Sequence, residues 1–362
     1  MDNTNELKTL GKVIERLVIA VIGLVLLLCF SVYCNIAQPN FSNWFVRPTV
    51  DTASSNVAAR ALEADRRQQA TTATYWAAPD TTALGDDEKS DQIRYGKDLI
   101  ANTSKYLGPR GSVSKISNGM NCQNCHLEAG TKVWGNNYGA VFATYPKYRA
   151  RSGEIEGIYR RVNDCMQRSL NGRALDTLGT EMQAIKAYIE WLGRGVKKGE
   201  KAKGAGITDL PFMEQAANPA LGQKVYTAEC QSCHQSDGQG VLAANKIAYT
   251  YPPLWGKNSY NTGAGLFRLS RFAGYVKYNM PLGATYQNPI LTDDEAWNVA
   301  AFVNAQSRPT KDLTSDWPKL AEKPVDHPFG PFADTFSEMQ HKFGPFGPIS
   351  AEKERQKKLK LK

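Results

Sequence analysis

Two short cysteine–histidine motifs are the features of this 362-residue chain with the most evident chemistry. Each follows the pattern C-x-x-C-H, in which two thiols on one turn can add to the two vinyl groups of one porphyrin. The histidine that follows directly can then reach the iron from the proximal side. A thioredoxin-like redox pair or a zinc site would explain the cysteines but not a histidine after both pairs. The motifs therefore predict two covalently bound haem c groups, held by Cys122, Cys125 and His126 and by Cys230, Cys233 and His234.

A sixth ligand for the second iron is expected downstream of its motif. Met280 lies in the segment Tyr278-Asn-Met-Pro-Leu-Gly283, a setting that favours a methionine thioether ligand. The alternatives are a methionine that only fills a gap in the core and, as a different ligand, the nearby Lys277. The motif predicts a His/Met haem that passes electrons on.

The first half of the chain offers a different sixth ligand. Met182 falls on the apolar face of a helix and is interpreted as core, which leaves Met166 and its neighbour Cys165. Because Cys29 and Cys34 lie in an apolar N-terminal stretch, Cys165 is a thiol without an obvious disulfide partner. It is either a buried, inert cysteine or a thiolate ligand of the first iron. We expect the thiolate, which would give that haem a much lower potential than its His/Met counterpart.

Arginines flank Cys165 on both sides. Guanidinium groups bind oxyanions in a fixed fork geometry, so the cluster is either an anion pocket or a solvated face. We favour the pocket. The arginines concerned are Arg149, Arg151, Arg160, Arg161, Arg168 and Arg173.

The N-terminal stretch predicts a membrane anchor. No charged residue lies between Arg16 and Arg47, and residues 17–37 are long and apolar enough for a spanning helix. Lys8, Lys12 and Arg16 precede it, which places the N-terminus in the cytoplasm and the rest of the chain in the periplasm. A cleaved signal peptide is the alternative, but no cleavage site of the A-x-A type follows. We expect an uncleaved inner-membrane anchor.

The fold class predicted for the chain is mainly α. Thr180 with Gln183, and Thr292 with Glu295, have the spacing of capping boxes that begin an amphipathic helix in each half. The tail from Lys353 onwards is basic and predicted to be disordered. The expected domains are 1–37, cytoplasmic end and membrane anchor; 38–89, linker; 90–205, catalytic haem domain; 206–308, electron-transfer haem domain; and 309–362, a Pro-rich wrapping extension with the basic tail.

Composition excludes several functions. Apolar residues make up 42% of the chain, enough for packed cores. The net charge of +9 is compatible with an anionic substrate but selects none by itself. The chain contains neither a Gly-rich phosphate loop beside a strand–helix pattern nor a nucleic-acid-binding module, so nucleotide chemistry and nucleic-acid partners are disfavoured.

The segments around these residues resemble the thiosulfate dehydrogenase family of dihaem cytochromes c. The resemblance rests on residues 118–127 around the first motif, on the Arg161-x-Asn-x-Cys165-x-x-x-Ser169 segment and on the second haem domain. It implies His126/Cys165 ligation at the active-site haem, with Arg151, Arg161 and Ser169 in the substrate pocket. Some members have a lysine directly before the ligating methionine and exchange ligands on reduction. Asn279 stands there in this chain, so that exchange is not expected.

The resemblance implies an enzyme that couples two thiosulfates to tetrathionate with two electrons, or runs the reverse reduction. A soluble cytochrome c or similar carrier is the expected electron partner. The alternative from another class is a membrane-tethered dihaem electron carrier with no substrate of its own. A peroxidase-like dihaem enzyme would need an open haem position, which the two candidate sixth ligands argue against.

Overall fold

The computed structural model describes residues 75–360, together with positions 17, 18, 21, 22 and 25 near the N-terminus. The predicted membrane segment, 17–37, otherwise lies outside the described residues. Among the helices that are described, none has the length and apolar character needed to cross a bilayer. The chain divides into two compact units, Met1–Gln68 and Gln69–Lys362, and the second contains both haem motifs.

Helices dominate the described residues, which agrees with the mainly α expectation. The helices are α1 (Glu88–Ala101), α2 (Thr103–Leu107), α3 (Leu127–Gly130), α4 (Val141–Thr144), α5 (Ile158–Arg168), α6 (Thr180–Gly193), α7 (Pro219–Val225), α8 (Gln231–His234), α9 (Leu269–Asn279), α10 (Asp293–Ala305), α11 (Glu338–Phe343) and α12 (Phe346–Lys360). Two antiparallel hairpins complete the fold, formed by β1 (Lys147–Arg149) with β2 (Glu154–Glu156) and by β3 (Val241–Leu242) with β4 (Tyr249–Tyr251).

The first haem domain is built on the crossing of α1 and α6. Gly96 allows this crossing, because a Cβ atom there would lie 2.0 Å from the carbonyl oxygen of Ala184. The apolar face predicted for α6 is buried as expected, with Met182, Ile185, Ile189 and Leu192 all inaccessible to solvent. The predicted capping box is wrong. Gly179 is the N-cap, without a side-chain cap, and Thr180 is already the first helical residue.

The second haem domain repeats this arrangement with α7 and α10. A Cβ atom on Gly222 would lie 1.9 Å from the carbonyl oxygen of Asn298. Here the predicted capping box is confirmed, since Thr292 and Glu295 each accept a hydrogen bond from the other's backbone. Trp297 is buried at the centre of this core.

A third group of buried residues joins the two haem domains. Met120, Met166 and Leu170 from the first domain pack with Tyr260 and Phe267 from the second. Met166, the other candidate for the sixth ligand of the first iron, is only 1% exposed and packs in this cluster, and it also lines the cavity of the first motif. The two motifs are therefore held on one continuous packed body.

The C-terminal extension packs on both domains. Phe346 and Ile349 are buried in the core of the second domain, and the backbone N–H of Trp317 donates to the carbonyl of Arg151 in the first. The disorder predicted from Lys353 onwards is wrong as far as residue 360, because these residues continue α12. Lys353 is held by a hydrogen bond from its Nζ to the carbonyl of Lys323.

Candidate functional site

The first C-x-x-C-H motif opens onto a cavity of about 420 Å³ that Cys122, Cys125 and His126 all line. The Nδ1 atom of His126 lies 2.5 Å from the carbonyl oxygen of Asn136, which leaves Nε2 as the atom that would bind a metal. Burial lowers the pKa of His126 to about 4, so the imidazole is neutral at physiological pH. A neutral ring whose orientation is fixed through Nδ1 is the state that binds iron.

Helix α5 brings Cys165 to the same cavity. One turn earlier on the helix, Arg161 donates a hydrogen bond from Nη1 to the Cys165 sulfur at 3.2 Å. The electrostatic interaction with the neighbouring Cys165 side chain is the main cause that raises the pKa of Arg161 above its ordinary value. Asn163 anchors the segment after α5, because its side-chain amide exchanges two hydrogen bonds with the backbone of Leu175.

Of the arginines that the sequence grouped around Cys165, only some reach the cavity. Arg149, Arg151, Arg161 and Arg168 line it. Arg160 turns away and pairs with the exposed Glu154 instead. The anion-pocket interpretation therefore applies to part of the cluster, and the solvated-face interpretation describes the side chain of Arg160.

Ser169 also lines the cavity, at the C-terminal end of α5. Its backbone N–H donates to the carbonyl of Cys165, so the two residues lie on consecutive turns. Lys147 and Lys201 add further positive charge to the lining. Burial and the neighbouring Arg149 lower the pKa of Lys147. The pocket thus combines the sulfur of Cys165 with several cations, an arrangement suited to a sulfur-containing anion.

The second motif has the same proximal geometry. The Nδ1 atom of His234 lies 2.8 Å from the carbonyl oxygen of Pro252, and burial lowers the pKa of this ring too. Met280 directly follows α9 and packs with Cys230 against the core of the second domain. Lys277 is engaged elsewhere, with its Nζ 2.6 Å from the carbonyl oxygen of Leu291 and 2.7 Å from Asp293.

Hydrogen bonds connect helix α9 of the second domain to the first motif and the loop that follows it. On α9, the Tyr275 hydroxyl donates at 3.0 Å to the carbonyl of Asn124, which lies inside the first C-x-x-C-H. One turn later Asn279 donates from Nδ2 to the carbonyl of Trp134 at 3.2 Å. The helix that ends at Met280 is therefore fixed to the loop carrying the first motif.

The residues present fit haem c at both motifs. Each histidine has its Nδ1 occupied by a backbone carbonyl, which leaves Nε2 as the donor atom for iron. At the first motif a second soft donor, the sulfur of Cys165, lines the same cavity as both motif thiols. This combination of nitrogen and sulfur donors matches known haem ligation.

Sequence reasoning missed the contribution of the C-terminal extension to this site. Arg168 donates from Nη1 and Nη2 to the two carboxylate oxygens of Asp316, each at 2.8 Å. The neighbouring Trp317 places its ring 5.7 Å from the Arg151 guanidinium. Neither residue stands in a recognisable motif. The only signal was the Pro-rich composition, which indicated an extension but not where it packs.

Comparison with known proteins supports the division into two haem domains. A family model described as the SoxA/TsdA cytochrome c domain matches residues 112–197, and one for cytochrome c matches residues 219–307. The two matched segments contain one C-x-x-C-H motif each. The protein therefore binds two covalent haem c groups.

Curated relatives are similar over most of their length. The chain is 33% identical to the thiosulfate dehydrogenase of Stutzerimonas stutzeri (strain A1501) over 252 residues, which cover 70% of this chain and 77% of the relative. It is 37% identical to the thiosulfate dehydrogenase of Allochromatium vinosum over 235 residues, or 64% of this chain and 83% of that one.

A solved structure is similar as well. It is the thiosulfate dehydrogenase TsdBA of Marichromatium purpuratum in its as-isolated form, with a TM-score of 0.62 and 29% identity. The match covers 74% of this chain and 55% of the other, so this chain spans little more than half of that protein. The shared sequence, the two cytochrome c domains and the similar backbone lead to one assignment: this chain is an enzyme of the thiosulfate dehydrogenase family.

Proposed function

We propose that the protein joins two thiosulfate ions into tetrathionate and releases two electrons, with Cys165 as the reacting sulfur. The observation that carries this proposal is the contact of 3.2 Å between Arg161 Nη1 and Cys165 Sγ, inside the cavity that the first C-x-x-C-H motif lines. The thiolate form of a cysteine is both a good metal ligand and a good nucleophile, and Arg161 places a hydrogen-bond donor and a positive charge beside this sulfur.

The haem ligands proposed for this chain follow from the same geometry. Each pair of motif cysteines forms the thioether links, and the motif histidine is the proximal ligand. The proposed sixth ligands are Cys165 for the first iron and Met280 for the second. When bound, each haem supplies a site that accepts one electron at a time.

The sulfur chemistry balances in two steps. In the first, the Cys165 thiolate forms a sulfur–sulfur bond with the terminal sulfur of one thiosulfate, and two electrons leave. In the second, the terminal sulfur of another thiosulfate attacks the sulfur atom of the first thiosulfate that is bonded to Cys165. The bond to Cys165 breaks, tetrathionate departs and the thiolate is restored. Every step is reversible in principle, so the same residues can also serve tetrathionate reduction.

The cations of the pocket bring the substrates together. Two thiosulfate dianions and a thiolate repel one another, and positive groups around the reacting sulfur lower this repulsion. We assign this role to Arg161 beside Cys165 and to Arg151, and we assign to the hydroxyl of Ser169 a hydrogen bond to an oxygen of the anion; all three residues line the cavity.

The electron partner and the location complete the proposal. Met280 and the second motif would pass electrons to a soluble cytochrome c or a similar carrier. The uncharged stretch at 17–37 supports an inner-membrane anchor with the enzyme in the periplasm.

The test is product analysis with the purified dihaem protein. Thiosulfate is supplied with a one-electron acceptor such as ferricyanide, and tetrathionate and reduced acceptor are both quantified. The proposal predicts one tetrathionate for every two thiosulfates consumed and two acceptor molecules reduced. Reduction of the haems by chemical reductants without any tetrathionate formation would instead support the electron carrier that has no substrate of its own.

A further inference from the structure

A carboxylate from the C-terminal extension enters the arginine cluster beside the proposed active site. The side chain of Asp316 is only 7% exposed, and its two oxygens each accept a hydrogen bond of 2.8 Å from the Arg168 guanidinium. This forked geometry occupies both terminal nitrogens of Arg168. Arg168 lines the cavity, but its charge is already paired there.

Arg151 is only partly neutralised by the same carboxylate. Its Nε lies 4.0 Å from Asp316 Oδ2, which is beyond hydrogen-bond distance, and this buried Nε–H has no acceptor among the described residues. Burial, together with the positive charges of Arg168 and Arg161, lowers the pKa of Arg151 to about 10. The guanidinium therefore stays charged at neutral pH and retains unused capacity to bind an anion.

The backbone holds Asp316 in this position. The N–H of Asp316 donates to the carbonyl of Leu313 at 2.9 Å, and the N–H of Trp317 donates to the carbonyl of Arg151 at 2.7 Å. Trp317 adopts a left-handed conformation with φ of 64°, which non-glycine residues rarely adopt. Its ring, 8% exposed, lies against the Arg151 guanidinium. The Asp316 carboxylate is thus held in a fixed position beside Arg151 and Arg168, which line the pocket.

We propose that Asp316 limits how tightly the pocket binds dianions. The inference rests on the proposed function, because it concerns binding of substrate and product at that site. Without Asp316, the three neighbouring arginines would keep only the more distant Asp164, whose Oδ1 lies 3.7 Å from Arg168 Nε, as an acidic neighbour in the cavity lining. They would then retain the tetrathionate dianion more strongly after the reaction. By occupying Arg168 and partly neutralising Arg151, Asp316 weakens anion binding and allows the product to leave.

The test compares Asp316→Asn with the wild type as purified dihaem proteins. Asparagine has nearly the same shape but no charge, so removing the negative charge should strengthen dianion binding about tenfold. We expect the KM for thiosulfate to fall by that factor, and the Kd for tetrathionate binding to the oxidised protein, measured by calorimetry, to fall likewise. Asp312→Asn is the control, since Asp312 lies on the same extension, is exposed and caps only Thr314.

A double variant identifies the partner. In Arg168→Gln/Asp316→Asn one positive and one negative charge are removed together, so the tetrathionate Kd should return to within about threefold of the wild type. A double variant that binds as tightly as Asp316→Asn alone would contradict the proposal. Asp316→Ser provides the same loss of charge should the asparagine variant not fold.

The outcomes separate this inference from the proposed function. An unchanged or weakened tetrathionate affinity in Asp316→Asn would overturn the inference and leave Asp316 as a structural anchor of Arg168. Absence of thiosulfate turnover in the wild type would overturn the proposed function. The calorimetric comparison would still decide the role of Asp316 in that case, because binding to the oxidised protein requires no turnover.

Discussion

The two haem domains share the same arrangement of helices. In each, a helix before the C-x-x-C-H motif crosses the last helix of the domain at a glycine. Gly96 lies against the Ala184 carbonyl and Gly222 against the Asn298 carbonyl, with no room for a side chain at either place. The two proximal histidines are alike as well, since each Nδ1 is held by a backbone carbonyl. Neither the helix crossing nor the histidine geometry distinguishes a catalytic domain from an electron-transfer domain.

The difference lies in the segment between the motif and the last helix. In the first domain this segment forms α5, which carries Cys165 and Arg161 to a charged cavity. In the second domain it forms α9, which ends at Met280 in apolar surroundings. In the proposed function, the same arrangement of helices holds a reactive site in the first domain and an electron relay in the second. The segment between the motif and the last helix makes the difference.

Among substitutions of the residues that distinguish the two domains, Cys165→Ala is expected to have the largest effect on activity. The variant should fold and retain both haems, since the motif cysteines are unchanged. It should lose the proposed thiolate signature in electron paramagnetic resonance, and its thiosulfate–tetrathionate turnover should fall roughly 10³-fold or more, as expected for loss of a nucleophile. Turnover close to that of the wild type would mean that Cys165 is an inert buried thiol.

Next in size is the effect of Arg161→Ala. This substitution removes a charge-assisted hydrogen bond to the Cys165 sulfur, so kcat/KM should fall roughly 10- to 100-fold. Arg160→Ala is the matched control, because that arginine is adjacent in sequence, carries the same charge and pairs with the exposed Glu154. Equal losses in both variants would show that only overall charge matters.

Arg151→Ala should also weaken the use of thiosulfate, by less than Arg161→Ala. Arg151 lines the cavity but has no contact with the Cys165 sulfur among the described residues. Its effect should appear mainly in KM, measured by steady-state kinetics. A loss confined to kcat would place Arg151 outside the binding step.

Substitution of Met280 tests the proposed role of the second haem domain as an electron relay. Replacing Met280 with alanine should lower the potential of the second haem by on the order of 0.1 V, a fraction of the ~0.8 V range that axial ligands span. The thiolate signature of the first haem should remain, which redox titration followed by electron paramagnetic resonance can check. An unchanged potential would assign the ligand elsewhere, although Lys277 is already bound to Leu291 and Asp293.

The smallest effect concerns the helices that close each domain. Thr292→Ala removes a side-chain cap from α10 and should cost about 1 kcal/mol of unfolding free energy, whereas Thr180→Ala removes no cap from α6 and should cost almost nothing. Chemical denaturation of the two variants measures the difference. A similar cost in both would mean that Thr180 caps its helix in solution.

The same pair of threonines shows how far sequence reasoning reaches. Both segments have the spacing of a capping box and both form helices, and the apolar face predicted for α6 is buried. Only Thr292 takes the N-cap position, because in the first domain Gly179 adopts the extended conformation of an N-cap and Thr180 becomes the first helical residue. Apolar periodicity specifies that a helix exists, but the residue at which it begins depends on the packing of its neighbours.

The candidate site likewise contains residues that sequence reasoning could find and residues that it could not. Motif spacing located both haem sites, because the two thiols and the histidine of each motif must lie within a few positions of one another. Cys165 was indicated as the thiol that no haem motif uses and that has no obvious disulfide partner. It could not find Asp316 or Trp317, which meet Arg168 and Arg151 across a long stretch of chain. Nor could it show that Arg160 turns outward while Arg161 turns inward. Such contacts depend on how the extension and α5 pack, and no local pattern encodes them.

The most direct test of the central claim is the rate of tetrathionate formation by Cys165→Met. Methionine can still offer sulfur to the iron, but it has no ionisable thiol that could form a sulfur–sulfur bond. We predict a folded dihaem protein with almost no turnover, clearly separated from the wild type under saturating thiosulfate. Turnover at the wild-type rate would contradict the account, because Cys165 would then act only as a ligand and the sulfur chemistry would occur elsewhere.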